Sequence, residues 1–168
     1  MPERRILLVR HGVAEDFSPT GRDADRALTP EGWEKMRAAA RGMAALDVAP
    51  SHLISSPLLR ARETADALSE VFPSASRDVW DELACGVDEY ALTARLEDLP
   101  AGGEVMLVGH EPDMGRLLSY WLSGRCEGFS TRFRKGATAC VRGGALPPDG
   151  RATLEWVLTP KQAGRIVG

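Results

Sequence analysis

Cysteine is scarce in this chain of 168 residues: Cys85, Cys126 and Cys140 are odd in number, show no CxxC spacing and have no clustered histidines beside them. A disulfide framework and a zinc site are thereby excluded as organising devices, and the three read as buried thiols. No apolar run approaches the roughly 20 residues needed to span a bilayer. The opening "MPERRILLVR" has too short an apolar core for a signal peptide, so the sequence reads as a cytoplasmic protein. There is also no excess of positive charge. The 21 basic residues are spread among 24 acidic ones, for a net charge of -3, which offers nothing to a nucleic acid or an anionic membrane. Any anion the protein binds must therefore be met by a local cluster. Internal repeats, low-complexity linkers, a Walker-type glycine loop and a metal-binding carboxylate cluster are missing too.

What is present has the size and balance of one globular domain over residues 1–168, with 43% hydrophobic and 27% charged residues. Strand and helix signals alternate along it. "ILLV" reads as a strand buried on both faces. In "LTPEGWEKMRAAARGMAAL", Trp33, Met36, Ala40, Met43 and Ala44 keep helical spacing behind Thr29 as cap and Pro30 at the first helical position. "SHLISS" is a second strand. The following "SSPLLRARETADALSEVF" places Leu58, Ala61, Ala65, Leu68 and Phe72 on one helix face, with Ser56 as cap. "SRDVWDEL" and "VDEYALTARLEDL" give a third strand and helix, and "GEVMLVGHEPDMGRLLSYWL" a fourth pair. "ATACVRG" and "ATLEWVL", around the turn-rich "GALPPDGR", read as a closing hairpin. This order predicts an α/β fold: a three-layer sandwich with a mostly parallel central sheet flanked by helices and an antiparallel strand at its edge.

Polar residues interrupt this pattern where ligands bind in such sheets, at the carboxyl ends of strands. Arg10, His11 and Gly12 end the first strand, His110 ends the fourth, and Arg60 lies in the first turn of the helix after the second. Only three histidines occur in the chain, and two of them terminate apolar strands. Either alone reads as a hydrogen-bonded structural residue; the pair points to chemistry. Arg60 at the positive end of its helix dipole is poorly placed unless an anion is bound there. Gly12 and Gly109 serve either as turn residues or to let a phosphate approach the backbone. Two arginine forks around a neutral imidazole nucleophile are what phosphoryl transfer through a covalent phosphohistidine requires.

Three segments, "LLVRHG", "ISSPLLRARETA" and "LVGHEPDM", resemble in order the signature motifs of the histidine phosphatase, or phosphoglycerate-mutase-like, superfamily. "DADRALTPEG" and "GHEP" look most like its SixA-like branch, whose members dephosphorylate phosphohistidine on proteins. The likeness runs from the first strand through the fourth helix. It implies a phosphoglycerate-mutase-like fold and a metal-independent phosphatase without a cofactor. By this resemblance His11 is the nucleophile, Arg10 and Arg60 grip the phosphoryl group, and His110 donates to it. Arg26 matches an arginine of the SixA-like branch that contacts phosphate or substrate; as an ordinary surface arginine it would pair with Asp23 or Asp25. The superfamily's mutases and many of its phosphatases also carry a proton-donating carboxylic acid. Its candidates here are Glu82 and Asp81 in "VWDELACG", a stretch that departs from the mutase pattern. The implied partner is a phosphorylated protein, such as a phosphohistidine domain, or else a small phosphate ester. A small-molecule phosphomonoesterase or mutase, and a non-catalytic phosphate-binding module, stay open beside the phosphohistidine phosphatase.

Overall fold

Strand β1, Arg4–Arg10, organises the molecule because its residues 6–9 are completely buried. The structure, a computed structural model, describes residues 3–143 and 150–168. Side chains alternate along a strand, so Ile6 and Leu8 enter the core on one face of the sheet while Leu7 and Val9 enter that on the other. Both faces must then be covered, and both are. β2 (Pro50–Ser55), β3 (Ser76–Val79) and β4 (Glu104–Gly109) lie on one side of β1, all parallel. β5 (Thr138–Gly143) pairs antiparallel with β1 on its other side, and β6 (Thr153–Leu158) closes that edge against β5. The order is β3-β2-β4-β1-β5-β6. This is the mostly parallel three-layer α/β sandwich expected, with an antiparallel hairpin at its edge. Most of the turn read in "GALPPDGR" lies outside the described residues.

The first helix follows from local chemistry. α1, Pro30–Ala44, starts where Thr29 accepts a hydrogen bond from the Gly32 amide at 2.9 Å, with Pro30 preset for the first turn. Its Met36, Ala40 and Met43 join Ala61, Ala65 and Leu68 of α2 (Leu59–Ser69) over Leu7, Val9, Met106 and Val108. On the opposite face α3 (Glu89–Glu97) and α4 (Asp113–Ser123) bring Leu92, Leu96, Leu117, Leu118 and Trp121 onto Ile6, Leu8 and Leu107.

Four details differ from the sequence reading. Ser56 does not cap α2; the helix begins at Leu59, after an extended Leu58 without a side-chain cap. Pro57 disfavours helical backbone at the residue before it, and the Ser56 hydroxyl is bonded to His110 as well as accepting from the Leu58 amide. Ala44 is exposed, and Ala39 and Gly42 take the inner face of α1 instead. The reason is α5, Pro160–Gly164, a one-turn helix that packs along α1 and is too short to announce itself by periodicity. Finally, of the three cysteines only Cys140 is a buried thiol; Cys126 is half-buried and Cys85 is exposed. Among the described residues no helix is long and apolar enough to cross a membrane.

Candidate active site

The parallel sheet gathers the carboxyl ends of β1, β2 and β4. Arg10 is level with Gly109 in the β1–β4 ladder, the His11 amide donates to the Gly109 carbonyl at 3.0 Å, and the Ser56 amide donates to Val108 at 2.9 Å. These bonds carry three chain segments past the sheet edge side by side. The His11 and His110 rings meet with centroids 5.2 Å apart and planes tilted by 53°. Arg60 reaches the same place from the first turn of α2. His11, His110 and Arg60 are 7%, 2% and 4% exposed, so the sequence's scattered polar residues form a buried cluster.

The hydrogen bonds assign states to the rings. His11 Nδ1 lies 2.7 Å from the Gly12 carbonyl, which can only accept. Nδ1 therefore carries the proton and Nε2 keeps its lone pair. Burial is the main force on this imidazole, pushing its pKa down to about 3 against the raising effect of the Gly12 carbonyl; His110, Arg60 and Arg10 push the same way as burial. His110 is lowered to about 4, again chiefly by burial and then by Arg60, with Asp23 opposing. Both rings are neutral at pH 7. His110 Nε2 shares a hydrogen bond of 2.7 Å with Ser56 Oγ.

The cationic side chains are held but not saturated. Arg10 Nη1 donates to the Phe133 carbonyl at 2.9 Å, and Arg60 donates to the Asp23 carbonyl and carboxylate at 2.9 and 3.1 Å. Among the described residues five buried side-chain polar atoms lack a partner, and three of them are here: Arg10 Nε, Arg60 Nε and His110 Nδ1. Unpaired buried polar atoms cost free energy, and the two guanidinium donors among them, beside the two rings, mark a place that an oxyanion would satisfy.

Gly12 serves packing. Its amide donates to Thr64 Oγ1 at 3.0 Å, which in turn donates to the Arg60 carbonyl at 2.7 Å, so it is already engaged and not aimed at a phosphate. A Cβ on Gly12 would lie 2.9 Å from Met36 Cγ, which explains the glycine where the chain crosses α1. Arg26 pairs with Asp23 at 2.9 Å, and Asp23 thereby bridges Arg26 to Arg60. Its other bond goes to the Glu15 carbonyl at 2.8 Å. Glu82 is exposed and bonded to Arg95, whose guanidinium lies 4.2 Å from the Trp80 ring centroid. Its own backbone amide, and then Arg95, hold this carboxyl below the usual range, the opposite of what a proton donor needs. Asp81 beside it is exposed as well.

Four residues that share the site were given no part in it by the sequence reading: Asp23, named there only as a surface partner of Arg26, Ser56, named only as a helix cap, Thr64 and Glu111. Glu111 follows His110 directly, and burial raises its carboxyl while the Gly115 amide, donating at 2.7 Å, and the charge of Arg10 pull it back. Adjacency to His110 was its available signal. Among the described residues no group of three His, Cys, Asp or Glu side chains could hold a metal ion.

Known proteins resemble this chain in sequence and in overall fold. Residues 6–98 match the family model described as Histidine phosphatase superfamily (branch 1). An uncharacterized protein of Picosynechococcus is 34% identical over 112 residues, covering 66% of this chain and 68% of its own. Phosphohistidine phosphatase SixA of Escherichia coli is 25% identical over 160 residues, 93% of this chain and 94% of that one. Among solved structures, the protein histidine phosphatase SixA complexed with tungstate superposes with a TM-score of 0.81 at 26% identity, over 94% of this chain and 97% of the other.

Proposed function

This chain belongs to the histidine phosphatase superfamily, and we propose that it removes phosphate from phosphohistidine on a protein, with His11 as nucleophile and residues 1–168 acting as one catalytic domain. The observation that carries this reading is the 2.7 Å bond from His11 Nδ1 to the Gly12 carbonyl, which leaves Nε2 unprotonated, in a burial that keeps the ring neutral. Nε2 attacks phosphorus, a new N–P bond forms, and the bond to the leaving nitrogen breaks. The three equatorial oxygens then face Arg10, Arg60 and His110. Arg60 Nε and Arg10 Nε need no partner displaced to donate to them. Water next attacks the phosphohistidine, returning His11 with its lone pair and releasing inorganic phosphate.

Leaving-group chemistry favours phosphohistidine over an ester. An alkoxide needs a positioned acid, whereas an imidazole protonated at its other nitrogen departs without one. Glu82 is engaged by Arg95 and held ionised. The similarity to SixA, a phosphohistidine phosphatase in Escherichia coli that matches over nearly its whole length, points the same way. A small-molecule phosphomonoesterase is the second reading, and the half-buried Glu111 with its raised carboxyl is what favours it.

A phosphohistidine protein, p-nitrophenyl phosphate and a panel of sugar phosphates, assayed in parallel, separate the two. Phosphohistidine should be the preferred substrate, rapid quenching should trap a base-stable, acid-labile phosphoryl group, and His11→Ala should abolish trapping and turnover. Efficient turnover of a sugar phosphate that Glu111→Gln destroys would move the assignment to the phosphomonoesterase. Normal turnover by His11→Ala would remove the mechanism altogether.

A further inference from the structure

A basin of about 1160 Å³ adjoins the active site and is lined by Arg10, Lys35, Arg134, Lys135, Lys161 and Arg165, with no Asp or Glu among its lining residues. In a chain of net charge -3 this is a segregation of charge. Many cations elsewhere find carboxylates, though not all: Arg5 pairs with Glu104, Arg37 with Glu70, Arg77 with Asp66 and Arg116 with Glu89. Here Lys35 pairs with Glu31, but Arg134, Lys135, Lys161 and Arg165 are exposed and no side-chain carboxylate among the described residues pairs with them.

The fold holds this surface against the reacting centre. Residues 132–136, "RFRKG", are pinned to the end of β1: the Gly136 amide donates to the carbonyls of Arg10 and His11 at 3.1 and 2.9 Å, and Arg10 returns a bond to Phe133. The other walls are α1 and α5. Arg10 belongs both to the buried cluster and to the basin, so an occupant of the basin lies beside the phosphoryl group in transfer. The volume exceeds the roughly 300–1,000 Å³ of small-molecule sites, and the cations stand on an exposed rim.

We propose that the basin is a docking surface for an acidic, Asp/Glu-rich segment flanking the phosphohistidine of the protein substrate. The proposal rests on the phosphohistidine reading and adds how the partner is selected. A protein segment suits the surface better than a membrane or a nucleic acid. Those present negative charge over a wide front, which the acidic remainder of this chain repels, whereas a segment places carboxylates only over the basin. Such contacts act chiefly through association and KM, and they weaken with salt.

Two peptides carrying one phosphohistidine each, flanked by glutamates or by glutamines, test this beside N-phosphoimidazole, which has no flanks. Wild-type kcat/KM should favour the glutamate peptide by about tenfold at low ionic strength, through KM, and the preference should vanish at about 0.5 M salt. Combined Lys135→Glu, Lys161→Glu and Arg165→Glu should reverse the order while leaving N-phosphoimidazole turnover unchanged; the glutamine versions of the three should fall between. Fluorescence anisotropy of a labelled, unphosphorylated glutamate peptide reads docking without catalysis and should show binding by wild type but not by the charge-reversed protein. Equal handling of both peptides, with N-phosphoimidazole hydrolysed, overturns the docking proposal and spares the function. Failure to hydrolyse any phosphohistidine compound overturns the function, and the anisotropy then decides docking by itself. Binding to phosphatidylserine vesicles but not to the peptide overturns the proposal in favour of a membrane.

Discussion

His11 is poised by being deprived of water. Its pKa of about 3, and that of about 4 for His110, lie below the ordinary value of 6.5, and burial is the first cause of both shifts. Well above pH 6.5 neither ring is protonated, folded or unfolded, and neither makes stability depend on pH. Between 6.5 and about 4 the unfolded chain takes up protons that the folded one refuses, so stability falls as the solution is acidified, by at most about 1.4 kcal/mol per pH unit for each ring. His11→Ala removes one of these contributions. In urea titrations the loss of stability from pH 7 to pH 5 should be smaller for the variant than for wild type; equal losses would show that His11 is not held neutral by the fold. The four polar residues of the cluster were legible in the sequence because each breaks an apolar run or a helix dipole rule. Their partners were not. Asp23, Thr64 and Ser56 act across separations of 37, 52 and 54 residues, and a single aspartate or hydroxyl leaves no pattern. Glu82 misled because its neighbourhood in sequence says nothing of Arg95, its neighbour in space.

At the scale of elements, the contact that fixes the basin's wall is α5 against α1. A Cβ added to Gly42 would stand 1.8 Å from the Ala163 carbonyl oxygen and 2.5 Å from its carbon, backbone atoms that cannot rotate aside. In an open helix, Gly→Ala stabilises by roughly 1 kcal/mol. Here the sign should reverse. Gly42→Ala is expected to lose about 1–3 kcal/mol, seen as a lowered midpoint of thermal unfolding, because α5 must move off α1. A raised midpoint would mean that α5 packs elsewhere. Helices α1, α2 and α4 were readable because each carries two or three turns of apolar spacing, and α1 adds a side-chain cap. α5 has five residues and only a capping box, Thr159 with Gln162, to mark it. β1, β2, β4 and β5 were readable as largely buried runs, β3 from "SRDVWDEL" although it is exposed throughout at the sheet edge, and β6 from its place in the closing hairpin.

Over the whole molecule, sheet order is a product of crossovers, and no local signal placed β4 between β2 and β1. That placement nevertheless gives the site its composition, by bringing the residue after β4 beside the residue after β1. The result is a pocket whose charge comes from arginine. In the proposed mechanism Arg10 and Arg60 supply two fixed positive charges toward a phosphoryl dianion, and the neutral rings add donors or a lone pair without adding charge. Among the described residues the one carboxylate bonded to either of these two arginines, Asp23, is held ionised foremost by Arg26 and also by Arg60, which suits it to orient an arginine. That mechanism assigns charge neutralisation in the transition state to guanidinium groups, the task that a divalent cation performs in other phosphoryl-transfer sites. Turnover of N-phosphoimidazole should accordingly be unchanged after exhaustive treatment with a chelator, and added magnesium should not raise it. Loss of activity on chelation, restored by magnesium, would require a metal to share the work of Arg10 and Arg60. The mechanism built on these two side chains would then have to be redrawn.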